Sequence, residues 1–128
     1  MKYKELIDKA IAAREKAYAP YSTFKVGAAL KTKGGKIYLG CNIENAAYSM
    51  TNCAERTAFF KAVSEGEREF ESIAIVGGKD KLIVCAPCGA CRQVINEFCD
   101  KDFKIILYDG EKEYVYTLEE ILPLGFKL

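Results

Sequence analysis

A hydrophobic period that switches repeatedly between about 3.6 residues and 2 along one chain restricts it to folds in which helices pack on a sheet. From Tyr3 to Tyr18 the apolar residues Leu6, Ile7, Ala10, Ile11, Ala13 and Ala17 recur at helical spacing, which predicts a helix. Ala19-Pro20 ends it, because a residue before proline is pushed out of the α region and the imino nitrogen cannot donate. Phe24 to Thr32 and Lys36 to Cys41 are apolar, β-prone runs separated by a turn at Gly34-Gly35, the pattern of a hairpin. Asn42 to Asn52 is polar and irregular and reads as a surface loop, the usual place for contact residues. Cys53 to Val63 reads as helix, with Ala54, Ala58, Phe59, Ala62 and Val63 on one face before Gly66.

A short buried strand, Ser72 to Val76, ends at Gly77-Gly78, and Pro87 opens a further helix through about Phe98, proline being well tolerated at the first helical position. Lys104 to Tyr108 and Tyr114 to Thr117 are strands either side of Asp109-Gly110, and Thr117 to Glu120 resembles a capping box ahead of a short last helix stopped by Pro123. Helices alternating with strands through the middle imply parallel crossovers, so the expected architecture is an α/β/α sandwich around one mixed sheet. At 128 residues, with no internal repeat or linker, the chain is expected to be a single domain over 1–128.

Lys+Arg 19 against Asp+Glu 18 leaves a net charge of +1, too little positive surplus to grip nucleic acid or an acidic membrane. The N-terminus lacks the apolar core and cleavage site of a secretory signal, and no apolar run is long enough to span a bilayer, so a cytoplasmic protein is expected. In that reducing compartment six cysteines are more naturally metal ligands, buried thiols or catalytic thiols than a disulfide framework. Histidine is absent, which excludes Ser-His and Cys-His nucleophile pairs and any His-ligated metal. Proton transfer then falls to carboxylate, Lys, Tyr or Cys.

Two motifs sit where a loop enters a helix: Cys53-Ala-Glu55 and Pro87-Cys88-Gly-Ala-Cys91. Cys-x-x-Cys at a helix N-terminus places two sulfurs on one side of a turn, where free N–H groups favour thiolate. A helix-opening cysteine elsewhere could supply a third ligand and leave the fourth tetrahedral position to water, as in a catalytic zinc site. Glu55, two residues past Cys53, is then close to the metal without binding it. Three thiolates and a hydroxide give the cluster an excess of negative charge, and Arg56 and Arg92 directly follow the two motifs. One or both are expected to donate to the ligand sulfurs and withdraw that charge. Taken alone, Cys-x-x-Cys suits a structural zinc or a redox dithiol equally well. Joined to Cys-x-Glu and Pro, it matches the established signature of the zinc deaminases, His-x-Glu followed by Pro-Cys-x-x-Cys, in its all-cysteine form.

The chain resembles the small homotetrameric cytidine deaminases nearly end to end, through Phe24-Lys-Val-Gly-Ala-Ala29, Asn42-Ile-Glu-Asn45, Cys53-Ala-Glu-Arg56 and Pro87-Cys-Gly-Ala-Cys-Arg-Gln93. The resemblance implies a five-stranded sheet, one Zn2+ per subunit on Cys53, Cys88 and Cys91, and active sites completed by neighbouring subunits of a homotetramer. It implies that Glu55 serves in turn as base and acid in converting cytidine and deoxycytidine to uridine and deoxyuridine plus ammonia. It also places the backbone N–H of Ala54 at the base carbonyl, Phe24 against the nucleoside, and Asn42 and Glu44 on the ribose 3′-hydroxyl. Ala46 and Tyr48 would reach a neighbour's pocket, and Phe126 would stack on the base from an adjacent subunit. Without the resemblance, Asn42 and Glu44 read as loop-turn formers and Phe24 and Phe126 as core aromatics. A carboxylate such as Glu44 near the sugar repels phosphate, which favours a free nucleoside.

Cys85 adds a thiol just before the Pro-Cys motif, and Gly78 to Val84 is slightly longer than the family's usual segment. Cys41, Cys85 and Cys99 read as small buried hydrophobes. Three rival readings are a same-fold deaminase of a cytosine antibiotic of the blasticidin S type, a zinc-stabilised binding module, and a nucleic-acid editing enzyme. A fourth Cys or His normally closes a structural zinc site, and the missing basic surface opposes editing.

Overall fold

The computed structural model describes residues 1–128. Four helices, α1 (Lys4–Arg14), α2 (Ala54–Ser64), α3 (Gly89–Phe98) and α4 (Leu118–Ile121), surround five strands. The strands are β1 (Lys25–Thr32), β2 (Ile37–Cys41), β3 (Phe70–Gly78), β4 (Lys104–Tyr108) and β5 (Glu113–Thr117). They form one sheet in the order β2-β1-β3-β4-β5, parallel only between β3 and β4. Because β1 is antiparallel to both β2 and β3, those two strands run the same way. The connections through α2 and α3 are therefore both parallel crossovers, the first stepping over β1.

Strand alternation divides the core into two layers. Val26, Ala28 and Leu30 of β1, Ile73 and Ile75 of β3, and Ile105 and Leu107 of β4 face α2, α3 and α4. The intervening Ala29, Ala74, Val76 and Ile106 face α1 and meet Leu6, Ile7 and Ala10. Each large aliphatic side chain buried in this way is worth roughly 1.5–3 kcal/mol, so the two layers pin both helix sets to the sheet. Small residues let the helices come close: a Cβ on Gly27 would lie 2.1 Å from the Ala10 carbonyl oxygen, and one on Gly40 2.4 Å from that of Ala54. Phe59 of α2 packs against Phe70, Phe98 and Phe103 with centroids 5.1–6.1 Å apart.

The sandwich and its five-stranded mixed sheet are as expected, and the Thr117/Glu120 capping box forms. β3 runs two residues beyond the expected Ser72 to Val76 at each end, taking in Gly77 and Gly78, and two helix boundaries differ as well. The first helix ends at Arg14, four residues short of Tyr18, because the Tyr18 N–H donates to the Asn42 carbonyl and Tyr18 bridges Ile43. Pro87 does not open α3; Cys88 is its N-cap, in extended conformation, and Pro87 precedes it as a buried residue. No helix is long and apolar enough to cross a membrane.

Candidate active site

Strands β2 and β3 end at the same edge of the sheet, so the helices that follow them begin there. That is where an open α/β sheet gathers ligands. Cys53 is the N-cap of α2, Cys88 the N-cap of α3, and Cys91 lies in the first turn of α3. The three Sγ atoms all lie within 4.8 Å of one another. Zn–S bonds of about 2.3 Å in a tetrahedron require sulfurs about 3.8 Å apart, so this donor set fits one zinc ion. Cys91 is buried, Cys53 half-buried and Cys88 exposed, which leaves the cluster open on one side. Cys41, Cys85, Cys99 and the Glu55 carboxylate stand outside it, so no fourth side chain closes the site.

Hydrogen bonding and charge divide the sulfurs. The Cys91 thiol and then Arg56 stabilise the Cys53 thiolate, lowering its pKa to about 5, and Cys91, sharing that hydrogen bond and buried, is raised. Arg56 Nη2 lies 3.1 Å from Cys53 Sγ, and this bond is the first cause of the guanidinium's raised pKa. Arg56 Nε is buried with no side-chain or backbone acceptor within hydrogen-bond reach. Of the two arginines expected to supply one or both of the sulfur contacts, Arg56 makes one and Arg92 is engaged elsewhere. Its Nε donates to the Pro87 carbonyl at 2.8 Å and its Nη1 to that of Ile121 at 2.7 Å, because the end of α4 leaves carbonyls in need of donors. Arg92 holds the chain that carries Cys88 and touches no sulfur.

Glu55 lies in the first turn of α2 and is 5% exposed. Burial, and after it the charge of Cys53, pushes its pKa up to about 7 against the lowering effect of its own backbone N–H. Ala54, fully buried beside it, has an N–H in the first helical turn, which no intrahelical carbonyl can meet.

Asn42 and Glu44 are tied to the chain around Phe24. Asn42 Oδ1 accepts from the Val26 N–H and its Nδ2 donates to the Phe24 carbonyl, both at 2.8 Å. Glu44 accepts from the N–H groups of Tyr21 and Ser22 and from the Ser22 hydroxyl, and the last of these lowers its pKa most. Phe24 packs beside the larger core layer, and a Cβ on Gly77 would meet Phe24 Cε1 at 3.1 Å and Cys85 Sγ at 2.9 Å. Cys85 is therefore part of this wall; burial first, then the charges of Glu55 and Cys53, pushes its pKa up to about 11 and keeps it a neutral thiol. Ala46, Tyr48 and Phe126 are exposed, Tyr48 on a 3-10 turn (Tyr48–Met50) and Phe126 held through its carbonyl by Gln93 and Asn96.

Two contributors escaped the sequence reading. The Ser22 hydroxyl, two residues past Pro20 in a turn-forming stretch, orients Glu44. The Thr57 hydroxyl, one turn past Cys53, accepts from Asn52 and lies within reach of the carbonyls of Cys41 and Cys53. A Thr four residues into a helix that opens with a ligand was its only signal.

The family described as "Cytidine and deoxycytidylate deaminase zinc-binding region" matches residues 1–107. The chain is 53% identical over 128 residues to a protein named cytidine deaminase from Sporosarcina psychrophila, covering 98% of this chain and 92% of that one. A crystal structure of cytidine deaminase from Burkholderia pseudomallei superposes with a TM-score of 0.91 at 50% identity, covering 98% of this chain and all of that one. A blasticidin-S deaminase from Bacillus cereus is more distant, 37% identical over 107 residues that cover 79% and 76% of the two chains. A Cys-Glu-Cys-Cys site of this geometry, on this sheet and with these relatives, makes the chain a member of the cytidine and deoxycytidylate deaminase zinc-binding family.

Proposed function

We propose that the chain hydrolytically deaminates free cytidine and deoxycytidine to uridine and deoxyuridine with release of ammonia. It would do so in the cytoplasm, in pyrimidine salvage, as a homotetramer with shared active sites. The observation that carries the reading is a buried carboxylate, Glu55, beside three sulfurs that no fourth side chain completes. Cys53, Cys88 and Cys91 would hold one zinc ion, which when bound supplies a Lewis acid that makes water nucleophilic near neutral pH. Arg56 draws charge from the Cys53 sulfur and the N-termini of α2 and α3 act in the same sense.

Glu55 takes a proton from the attacking water and delivers it to N3 of the pyrimidine, which makes C4 electrophilic. The same carboxylate then takes the proton of the new C4 hydroxyl and passes it to the amine, so that ammonia leaves as the C4 carbonyl forms. Burial, the largest cause of its raised pKa, eases protonation of a group that must both accept and give a proton. The Ala54 N–H orients the base carbonyl and Phe24 forms the wall against which the nucleoside packs. Glu44 has about four lone-pair sites, of which three are occupied, and Asn42 has one of two N–H donors engaged. Glu44 thus retains an acceptor site and Asn42 an N–H donor, which together can complement a ribose hydroxyl. Tyr48, Ala46 and Phe126, exposed on one chain, are the surfaces a neighbouring subunit would use.

The test is the fall in ultraviolet absorbance of cytidine with zinc-loaded protein, with blasticidin S assayed beside it and ammonia measured. Turnover abolished by a chelator and restored by Zn2+ supports the reading. Zinc-replete protein that leaves cytidine unchanged, or that prefers blasticidin S, refutes it.

A further inference from the structure

Arg14 ends α1, on the face of the sheet away from the sulfurs, and takes no part in the chemistry above. Its side chain is 12% exposed, and the nearest carboxylate, Glu15 at 3.6 Å, is 69% exposed. A charge withdrawn from water is costly unless its donors are met, and here backbone carbonyls meet them. Nε donates to Lys25 O at 3.1 Å, and Nη2 lies 2.6 Å from Gly78 O and 3.1 Å from Lys79 O. Lys25 and Gly78 are partners in the β1–β3 register, so one guanidinium grips the start of β1 and the end of β3 together. Gly27 permits this approach, since a Cβ there would stand 2.4 Å from Arg14 N.

The residues just before those carbonyls are Phe24 and Gly77, whose opposite face carries the pocket wall of Phe24 and Cys85. Gly78, at φ +156, also opens the turn that Ile83 closes onto Gly77 O at 2.9 Å and that leads to Cys85, Pro87 and Cys88. Docking of α1 itself rests on Leu6, Ile7 and Ala10, so the helix does not need the guanidinium to stay on the sheet.

We infer that Arg14 is a positioning residue for the nucleoside pocket. Acting through Lys25 and Gly78, it fixes Phe24 against Gly77 and Cys85 from the far side of the sheet. This rests on Phe24 being a pocket wall in the reaction proposed above. A lysine, with a point charge and no planar fork, can serve only part of this geometry.

The test compares steady-state kinetics and zinc content of wild type, Arg14→Ala, Arg14→Lys, Phe24→Leu and the Arg14→Ala/Phe24→Leu double variant, well below their melting temperatures. Misplacing a binding group by a fraction of an ångström predicts a KM for cytidine raised about tenfold in Arg14→Ala, with kcat changed by less than about twofold. Zinc content is unchanged, and Arg14→Lys recovers part of the loss. Phe24→Leu raises KM in the wild-type background and adds little in the Arg14→Ala background, because both changes disable the same wall. A wild-type KM in Arg14→Ala, or effects that multiply independently in the double variant, overturns the role. So does loss of zinc with collapse of kcat in both Arg14 variants, which would make the residue a support of the fold. Inactive wild-type protein would overturn the reaction and this role together, whereas active wild type with an unaltered Arg14→Ala overturns the role alone.

Discussion

Gly40 is the point at which a single methyl group should separate the fold from its chemistry. It lies on β2 opposite Ala28, and a Cβ there would come 2.4 Å from Ala54 O, 2.6 Å from Ala58 N and 3.0 Å from Ala58 Cβ. Ordinary contact begins at 3.4 Å, so Gly40→Ala requires strand and helix to part by about 1.0 Å, the difference between 3.4 and 2.4. Two of the three obstructing atoms are backbone and cannot rotate away. Ala54 sits between Cys53 and Glu55, so the displacement falls on one metal ligand and the carboxylate, while Cys88 and Cys91 on α3 stay behind. Overpacking of this kind costs about 1–3 kcal/mol, a fall in Tm of roughly 4–12 °C for a chain of this size. A 1 Å misplacement of catalytic groups costs about 10²-fold in kcat/KM.

Gly89→Ala is the matched control. It too adjoins a ligand cysteine, yet a Cβ there meets nothing within 4 Å. It should leave kcat/KM and zinc content unchanged and be neutral or stabilising by up to about 1 kcal/mol. Thermal unfolding, zinc analysis and cytidine kinetics on both variants decide the matter. A Gly40→Ala protein with wild-type kcat/KM and zinc content would show that the approach of α2 to β2 does not set the site, and the reasoning would fall.

Glu55→Gln should keep its zinc and lose about 10²- to 10⁴-fold in kcat, and appreciable residual turnover by a zinc-replete variant would remove Glu55 from proton transfer. Cytidine 5′-phosphate should fall at least about fivefold below cytidine in kcat/KM, through repulsion from Glu44, with the gap narrowing at high salt; equal values would contradict that placement. Glu113 of β5 accepts from the backbone N–H groups of Lys2 and Tyr3 and so caps α1, which has no side-chain cap of its own. Glu113→Ala should cost about 0.5–2 kcal/mol in denaturant unfolding with kcat unchanged, and an unaltered unfolding midpoint would refute the cap. Glu44, held below its ordinary 4.5 by Ser22, should anchor the Tyr21–Ser22 turn fully above that pH and release it only as pH falls through the lowered value; a carboxyl titration by NMR with a midpoint at or above 4.5 would overturn this.

The sequence displayed the elements and the sulfur cluster because both are local. Period shifts mark each helix and strand, and Cys-x-Glu and Pro-Cys-x-x-Cys are short motifs at helix starts. What it hid was long-range. Nothing near Tyr18 announces that its N–H will be claimed by Asn42, so the helical pattern in the sequence runs on past Arg14 where the helix itself does not. Adjacency to Cys91 suggested a sulfur contact for Arg92, but a side chain at the next helical position points about 100° away, toward the end of α4. The support of Glu44 by Ser22 joins positions 22 residues apart, and no local pattern shows it.

One topological fact makes the site possible. Two helices can bring their N-termini together at one sheet edge only if the strands before them run the same way, and β2 and β3 do so because β1 lies between them, antiparallel to both. Inserting β1 also sets the spacing. It puts α2 and α3 over neighbouring parts of one layer, close enough that an N-cap on one and the first turn of the other share a metal-sized volume. The same arrangement buries Glu55 at the start of α2 beside Cys53, where desolvation and a neighbouring thiolate raise its pKa while its own N–H lowers it. A carboxylate placed one turn later would lose that opposing hydrogen-bond donor and the closeness to sulfur together. The two-residue offset of Cys53 and Glu55 is therefore a property of the helix start as much as of the reaction.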